Sequence, residues 1–282
     1  MDMAVVELKR YTVRKKHGEY LLNNVNMILE RGEVTALIGG SRSEKVSLME
    51  TIAGIGDESL ETFGEVIAST EDGATEKAAE KRRINAAYIP GTPPVYKNIE
   101  IGGLLRSIAI FYKRPHERLK ELMKWARIKA VRKTPYKNLA EKTKKRIALV
   151  IALLRDREVT VWDEPLADLS TNYARSLISK LKEGKRTHLV SVSTPLKKFE
   201  NMFDNVVVLY QGAVLYYGKA TRLPIYLISK GVVFPTSRYY LSYTSWLIST
   251  SATKKTGQLS ECDIENIRIF KSISMKKIKT NS

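Results

Sequence analysis

Gly39-Gly40-Ser41-Arg42-Ser43-Glu44-Lys45 stands directly after Val34-Thr35-Ala36-Leu37-Ile38, a compact apolar and β-branched run. A helix-like pattern follows, with Val46, Met49, Ile52 and Ala53 on one face. A glycine-containing turn between a buried strand and a helix, with a lysine leading into the helix, is the context of a phosphate-binding loop. Backbone N–H groups and the helix N-terminus hold the anion there, and the lysine reaches the terminal phosphates. Arg42 and Glu44 sit where such a loop carries glycines, so this segment alone is an incomplete match. A second element supports it. Val159-Thr160-Val161-Trp162 is a hydrophobic strand that runs into Asp163-Glu164-Pro165. In phosphoryl chemistry the aspartate of such a pair faces Mg²⁺ and the glutamate polarises an attacking water. By itself Asp163-Glu164-Pro165 reads more readily as a strand end with a helix-capping turn.

The surrounding elements must bring these two segments together. Ala4–Leu8 and Tyr11–Arg14 read as two short strands, with a turn at His17-Gly18. Residues 56 to 79 are loop-rich around a strand at Glu65–Ala68, and Ala86–Ile89 is closed by prolines 90, 93 and 94. The periodicity is helical from Gly102 to Ala130, from Lys142 to Leu154 and over Thr171–Leu181. Strands are expected at His188–Ser193 and Asn205–Tyr210, and Gln211-Gly212 turns the latter into a partner at Ala213–Tyr217. Strands alternating with helices specify an α/β fold with a largely parallel sheet.

Composition narrows the chemistry. The chain has 282 residues with a single cysteine, Cys262, and three histidines, 17, 116 and 188. That excludes a disulfide framework and a Cys/His zinc cage. The longest apolar run, Ile147 to Leu154, is far short of the roughly 18 residues of a membrane span, and Asp2 and Glu7 argue against a secretory signal. The reading is a soluble, intracellular, basic protein. Its formal charge is +18, concentrated at Arg132, Lys133, Lys137, Lys142, Lys144, Lys145 and Arg146 and again from Lys254 to Lys279. Such a field favours an acidic partner, whether nucleic acid, anionic lipid or a protein face; a solvated helix face is the plain alternative for the first cluster.

The order of the pieces resembles the nucleotide-binding domain of ABC transporters, most closely the G subfamily, in register from about Leu8 to about Ser249. Leu21-Leu22-Asn23-Asn24-Val25 and Arg31-Gly32-Glu33 through Gly39 are similar to that family's lead-in to Walker A. Lys145-Arg146-Ile147-Ala148 through Pro165 is similar to its signature helix and Walker B, and Phe203-Asp204 with Leu209 through Gly218 to the stretch beyond its switch histidine. The resemblance implies a P-loop NTPase (RecA-like) α/β core with an antiparallel β subdomain and an inserted helical subdomain at about 95–137. Residues 1–250 would form the ATP-binding domain and 251–282 a basic tail. It implies ATP and Mg²⁺ as cofactors, Gly39, Gly40, Ser41, Ser43, Lys45, Ser47 and Asp163 at the nucleotide, and Tyr11 where an aromatic stacks on adenine. Asp163 and Ser47 would hold the metal, and Glu164 would be the catalytic carboxylate. Tyr239, Tyr240, Tyr243 and Trp246 fit the family's closing segment and read as core or capping residues.

The departures from the family pattern are many. Arg42 and Glu44 replace glycines, and Val46 replaces the metal-ligating hydroxyl. Gly91 stands at the Q-loop glutamine, Leu139-Ala140-Glu141-Lys142-Thr143 at the signature, Ser170 at the D-loop aspartate and Ser193 at the switch histidine. A Cβ denies the backbone its close approach to an anion. A Glu44 carboxylate about 4 Å from phosphate would repel it by roughly 4 kcal/mol at an effective dielectric near 20, with Arg42 as an offset. In this family Walker A of one subunit faces the signature of the other, so a chain damaged in both would impair both composite sites of a pair. The expectation is a weakly binding or inactive pseudo-ATPase without its own membrane domain. It would work with a membrane-domain or half-transporter chain, as in a heterodimer, on the cytoplasmic face of a membrane. The alternative is a soluble non-transport ABC protein, a scaffold or a ribosome- or RNA-associated factor.

Overall fold

A computed structural model describes residues 4–69, 75–77, 85–90, 98–193, 199, 201–234, 240–252 and 260–281. Gly91 and Tyr239 lie outside the described residues, as do residue 95, where the helical subdomain was expected to begin, and Lys254 of the tail. The chain divides into two compact units, Met1–Tyr88 with Glu158–Ser282, and Ile89–Arg157.

In the larger unit one four-stranded sheet has the order β2-β1-β4-β5, formed by β1 (Ala4–Arg14), β2 (Tyr20–Glu30), β4 (Glu61–Ser69) and β5 (Thr75–Lys77). All its pairings are antiparallel. The two runs expected at the N-terminus are one strand, bent where the register slips between Leu8 and Tyr11. Arg10 takes φ 48° at the bend, and Gly64 faces it. A Cβ at Gly64 would lie 2.3 Å from the Arg10 carbonyl oxygen, so only glycine fits.

The second sheet runs β10-β9-β3-β8-β7-β6, with β3 (Val34–Gly39), β6 (Ala86–Ile89), β7 (Val159–Trp162), β8 (Thr187–Ser191), β9 (Asn205–Tyr210) and β10 (Ala213–Lys219). β3 pairs in parallel with β8 and β9, and β7 with β8, while β9 and β10 form the antiparallel hairpin expected at Gln211-Gly212. β3, β7, β8 and β9 are buried almost throughout, as strands covered on both faces must be. Helix α1 (Arg42–Ala53) packs Leu48, Met49 and Ile52 into one core with Leu37, Val161, Leu189 and Val207. The arrangement is the α/β P-loop NTPase core read from the sequence.

The smaller unit holds α2 (Ile101–Phe111), α3 (His116–Trp125) and α4 (Glu141–Arg155). The single helical stretch expected from residue 102 is broken ahead of Pro115, which precedes α3. Leu105, Leu119, Leu122, Ile147, Val150, Ile151 and Leu154 form the core of this unit. The residues of α4 recur at three- and four-residue steps, which is why that helix was legible.

Between β7 and β8 runs α5 (Thr171–Glu183), and after β10 come α6 (Leu223–Ser229), α7 (Tyr240–Ala252) and α8 (Glu261–Asn281). The sequence read 251–282 as a basic tail, yet Ile267, Phe270 and Ile273, at three-residue spacing, are buried in α8. Asn266 fixes that helix: its Oδ1 accepts from Val233 N–H at 2.8 Å, and its Nδ2 donates to Val233 O at 2.6 Å and to Tyr243 Oη at 2.8 Å. Tyr243 stacks on Trp246 with centroids 5.2 Å apart, so these aromatics cap the C-terminal helices. Among the described residues no helix is long and apolar enough to cross a membrane.

Candidate functional site

Only Gly40 and Ser41 separate the end of β3 from the start of α1. Ser41 is the N-cap, with φ −95° and ψ 130°, and its Oγ accepts from the Glu44 N–H at 3.4 Å and lies 2.8 Å from the Ser43 Oγ. Its carbonyl accepts from the Lys45 N–H at 3.3 Å. None of residues 39–45 has a positive φ. The segment is a helix start, and two N–H groups that a phosphate loop would aim at an anion are spent on its first turn. The side chains explain why. Serine is among the best N-caps, and replacing glycine by arginine or glutamate favours helix by about 0.5–1 kcal/mol each.

Lys45 reaches across the strand ends. Its side chain is 4% exposed, and Nζ donates to Glu164 Oε1 at 3.0 Å and to Ser193 Oγ. The lysine stem lies over Gly39, where a Cβ would stand 3.1 Å from both the lysine Cγ and the Leu209 carbonyl oxygen and crowd them. Glu164 follows β7 with φ 48°. Its N–H donates to Ser191 Oγ at 2.8 Å, its Oε2 accepts from the Ser193 N–H at 3.0 Å, and its Oε1 also pairs with the Ser193 hydroxyl. Burial pushes the Glu164 carboxyl up, but the Ser193 hydroxyl and Lys45 together outweigh that and hold it below its ordinary value.

Asp163 is buried beside this pair. Its Oδ1 accepts from Ser191 Oγ at 3.3 Å, its Oδ2 accepts from the Tyr88 hydroxyl at 3.2 Å, and Arg42 stands 3.6 Å from Oδ2. Burial and then the Asp163 charge push the Tyr88 hydroxyl up to about 12, so it remains a donor. β3, β6, β7 and β8 thus converge Lys45, Tyr88, Asp163, Glu164, Ser191 and Ser193. Of these the sequence singled out Lys45, Asp163 and Glu164, and noted Ser193 as a loss. Ser191 and Tyr88 were missed, although Ser191 lies two residues before Ser193, on the same side of a strand running out of the sheet.

The Glu44 carboxylate, expected to repel phosphate, accepts from the Gly212 backbone in the β9–β10 turn. One oxygen, Oε2, is buried with no hydrogen-bond partner, and burial raises the carboxyl above its ordinary value. Gly212 turns with φ 74°, which suits glycine, and this aims its N–H at residue 44. Of the other expected positions, Gly40 is exposed, and Ser47 is buried in α1, its carbonyl taken by the Thr51 hydroxyl at 2.8 Å. Val46 and Tyr11 are half-buried against the core cluster. At the signature position Ala140 is the N-cap of α4, without a side-chain bond, and Lys144 pairs with Glu141 at 2.7 Å.

A family profile described as ABC transporter matches residues 22–167. The lantibiotic transport ATP-binding protein SrtF of Streptococcus pyogenes is 26% identical over 212 residues, covering 74% of this chain and 89% of that protein. The molybdate/tungstate import ATP-binding protein WtpC of Methanocaldococcus jannaschii is 26% identical over 75% of this chain and 70% of its own length. ABC transporter G family member 24 of Dictyostelium discoideum is 25% identical over 75% of this chain but only 19% of its own length. Among solved structures, an ATP-binding subunit of an ABC transporter superposes with a TM-score of 0.65 at 23% identity, covering 79% of this chain and 92% of that one. CbiO1 of Clostridium perfringens, described as part of the ABC transporter complex cbiONQ, gives 0.63 at 20% identity over 83% and 97%. The parallel core, the lysine meeting the paired carboxylates at its strand ends, and the profile match together establish that the chain belongs to the ABC transporter family as an ATP-binding domain.

Proposed function

We propose that this chain is a pseudo-ATPase of the ABC family, of G-subfamily character, that serves a membrane-domain or half-transporter partner with its own phosphate site closed. One observation carries the reading: Lys45, the cation that would hold phosphate, is buried on Glu164 and Ser193, while Ser41 takes the N–H groups of Glu44 and Lys45. An internal carboxylate stands where the lysine would otherwise meet an anion. Mg²⁺ does not suit the groups present. Asp163 is ringed by two hydroxyl donors and the Arg42 guanidinium, Val46 offers no oxygen, and Ser47 is packed in α1. Among the described residues no group of three or more His, Cys, Asp and Glu could hold a metal ion.

In this reading Gly39, Gly40, Ser41, Ser43 and Lys45 are the remnant of a nucleotide site, Glu164 is an idle catalytic carboxylate, and Tyr11 serves the core. Residues 1–250 act as the ATP-binding-type domain, with the helical unit inserted in it, on the cytoplasmic face of a membrane beside the partner. Departures at both Lys45's loop and the Glu141-Lys142 signature position would impair both composite sites of a heterodimer, which favours a pseudo-ATPase beside its partner over a motor subunit. The test is steady-state hydrolysis of Mg²⁺–ATP by the purified chain and by its Glu164→Gln variant. The reading predicts the same background rate for both. Turnover that Glu164→Gln abolishes would contradict it.

A further inference from the structure

The helical unit carries 18 Lys and Arg against 5 Asp and Glu, so it holds 13 of the chain's 18 excess positive charges in about a quarter of its length. The same unit presents the two most exposed large apolar side chains among the described residues, Ile110 at 76% and Phe111 at 77%. Both lie on α2, whose opposite face buries Ile101, Leu105 and Ala109. Arg106 and Ser107, one turn earlier, are exposed on the same stripe.

Basic groups bracket that stripe. At its C-terminal end Lys113 is exposed, and the Arg157 guanidinium lies 5.9 Å from the Tyr112 ring centre, next to Phe111. At its N-terminal end the Gly102 N–H donates to the Arg132 carbonyl at 2.6 Å. Arg132, Lys133 and Lys129 line an open concavity of about 560 Å³ there. Glu100, the α2 N-cap, is the one acid at this end. The helix spans about 16 Å between the two groups.

We propose that α2 lies along an anionic lipid surface, with Ile110 and Phe111 entering the headgroup boundary and Arg106, Lys113, Arg132 and Lys133 meeting lipid phosphates and carboxylates. A bilayer offers both chemistries at once, apolar depth for the stripe and negative charge on either side of it. Nucleic acid answers the charge and could stack on Phe111, but it offers Ile110 nothing to bury against. The inference rests on the helical unit alone, so its failure leaves the closed phosphate site as argued above.

The experiment is co-sedimentation of the full chain with vesicles of phosphatidylcholine alone and with a third of the lipid replaced by phosphatidylserine, with a single-stranded RNA as competitor. Binding is expected on the anionic vesicles, at least about tenfold tighter than on neutral ones, weakening with salt. Ile110→Ser with Phe111→Ser should weaken it about tenfold or more, and Ile110→Leu with Phe111→Leu should preserve it. Arg132→Gln and Lys133→Gln should each cost about fivefold. All these positions are exposed, and an unchanged Tm identifies the variants that fold. Equal binding to neutral vesicles, no binding to either, serine variants that fold and bind as the parent does, or RNA retention without vesicle retention would overturn the proposal.

Discussion

Breaking the Lys45–Glu164 pair one side at a time should destabilise the protein in the absence of any nucleotide. At 3.0 Å the gross attraction is roughly 5–6 kcal/mol at an effective dielectric of 20, most of it offset by the desolvation of both groups. The cost of a single deletion comes from the charge left behind. Lys45 is 4% exposed, so Glu164→Ala strands a buried ammonium with only the Ser193 hydroxyl. Removing one partner of a buried pair costs about 3–5 kcal/mol. Glu164 is 26% exposed and water moderates the loss, which places Glu164→Ala near 2–3 kcal/mol. Lys45→Met leaves a carboxylate that keeps the N–H and hydroxyl of Ser193 and some water, and should cost about 1–2 kcal/mol. The double variant Lys45→Met with Glu164→Ala, which closes the cycle, should cost only about 1–2 kcal/mol, a coupling near 2 kcal/mol. The assay is urea and thermal unfolding of the four proteins without nucleotide, where each kcal/mol moves Tm by about 2–4 °C. Single costs that add in the double variant, with coupling under about 0.5 kcal/mol, would refute the internal lock.

The depressed Glu164 carboxyl contributes stability that is complete above its ordinary value of 4.5 and is lost as pH falls through its lower folded value. The stability gap between parent and Glu164→Gln should therefore close in that acid range, as read by Tm against pH. Glu44 has the opposite sign: its raised carboxyl favours the protonated fold, and that advantage fades as pH rises above 4.5. Glu44→Gln should raise Tm at pH 7 and leave it unchanged near pH 4. Asn266→Ala removes the hydrogen bonds to Val233 and Tyr243 from a side chain that is 1% exposed, and should cost about 2–4 kcal/mol in urea unfolding. Glu44→Gly with Val46→Ser loosens the first turn of α1 by about 1 kcal/mol and returns a hydroxyl beside Lys45. Nucleotide binding, undetectable in the parent, should become detectable by fluorescence titration at millimolar nucleotide, with hydrolysis still at background because Ser193 and Glu141-Lys142 are unchanged.

How much of this was legible depends on how local the determinants are. β3 and β7 are short buried runs rich in β-branched residues, the β9–β10 turn is marked by Gln211-Gly212, and α4 repeats its apolar residues at helical spacing, so all four were readable. β2 was not read as a strand: Asn23, Asn24 and Asn26 interrupt its apolar alternation, and it is specified by its pairing with β1. The helical stretch after Gly102 breaks at Pro115, a local signal that the periodicity on either side masked. Lys45, Asp163 and Glu164 were found as a motif, but their use was not. Residue type says that Glu44 is an acid; only the packing of α1 against the β9–β10 turn says that it faces Gly212. Likewise Ser193 reads as a missing histidine until the β8 end places its hydroxyl between Lys45 and Glu164. The packed helix α8 was hidden because its four lysines and Arg268 read as a basic tail, while Ile267, Phe270 and Ile273 decide its fate.

The most direct test of the closed site is isothermal titration of the purified chain with Mg²⁺–ATP, beside Lys45→Met. With Lys45 committed to Glu164 and Ser193, and the N–H groups of Glu44 and Lys45 committed to Ser41, both proteins should give no binding heat up to millimolar nucleotide. Micromolar binding by the parent that Lys45→Met removes would mean that the lysine leaves Glu164 for phosphate, and would contradict the account.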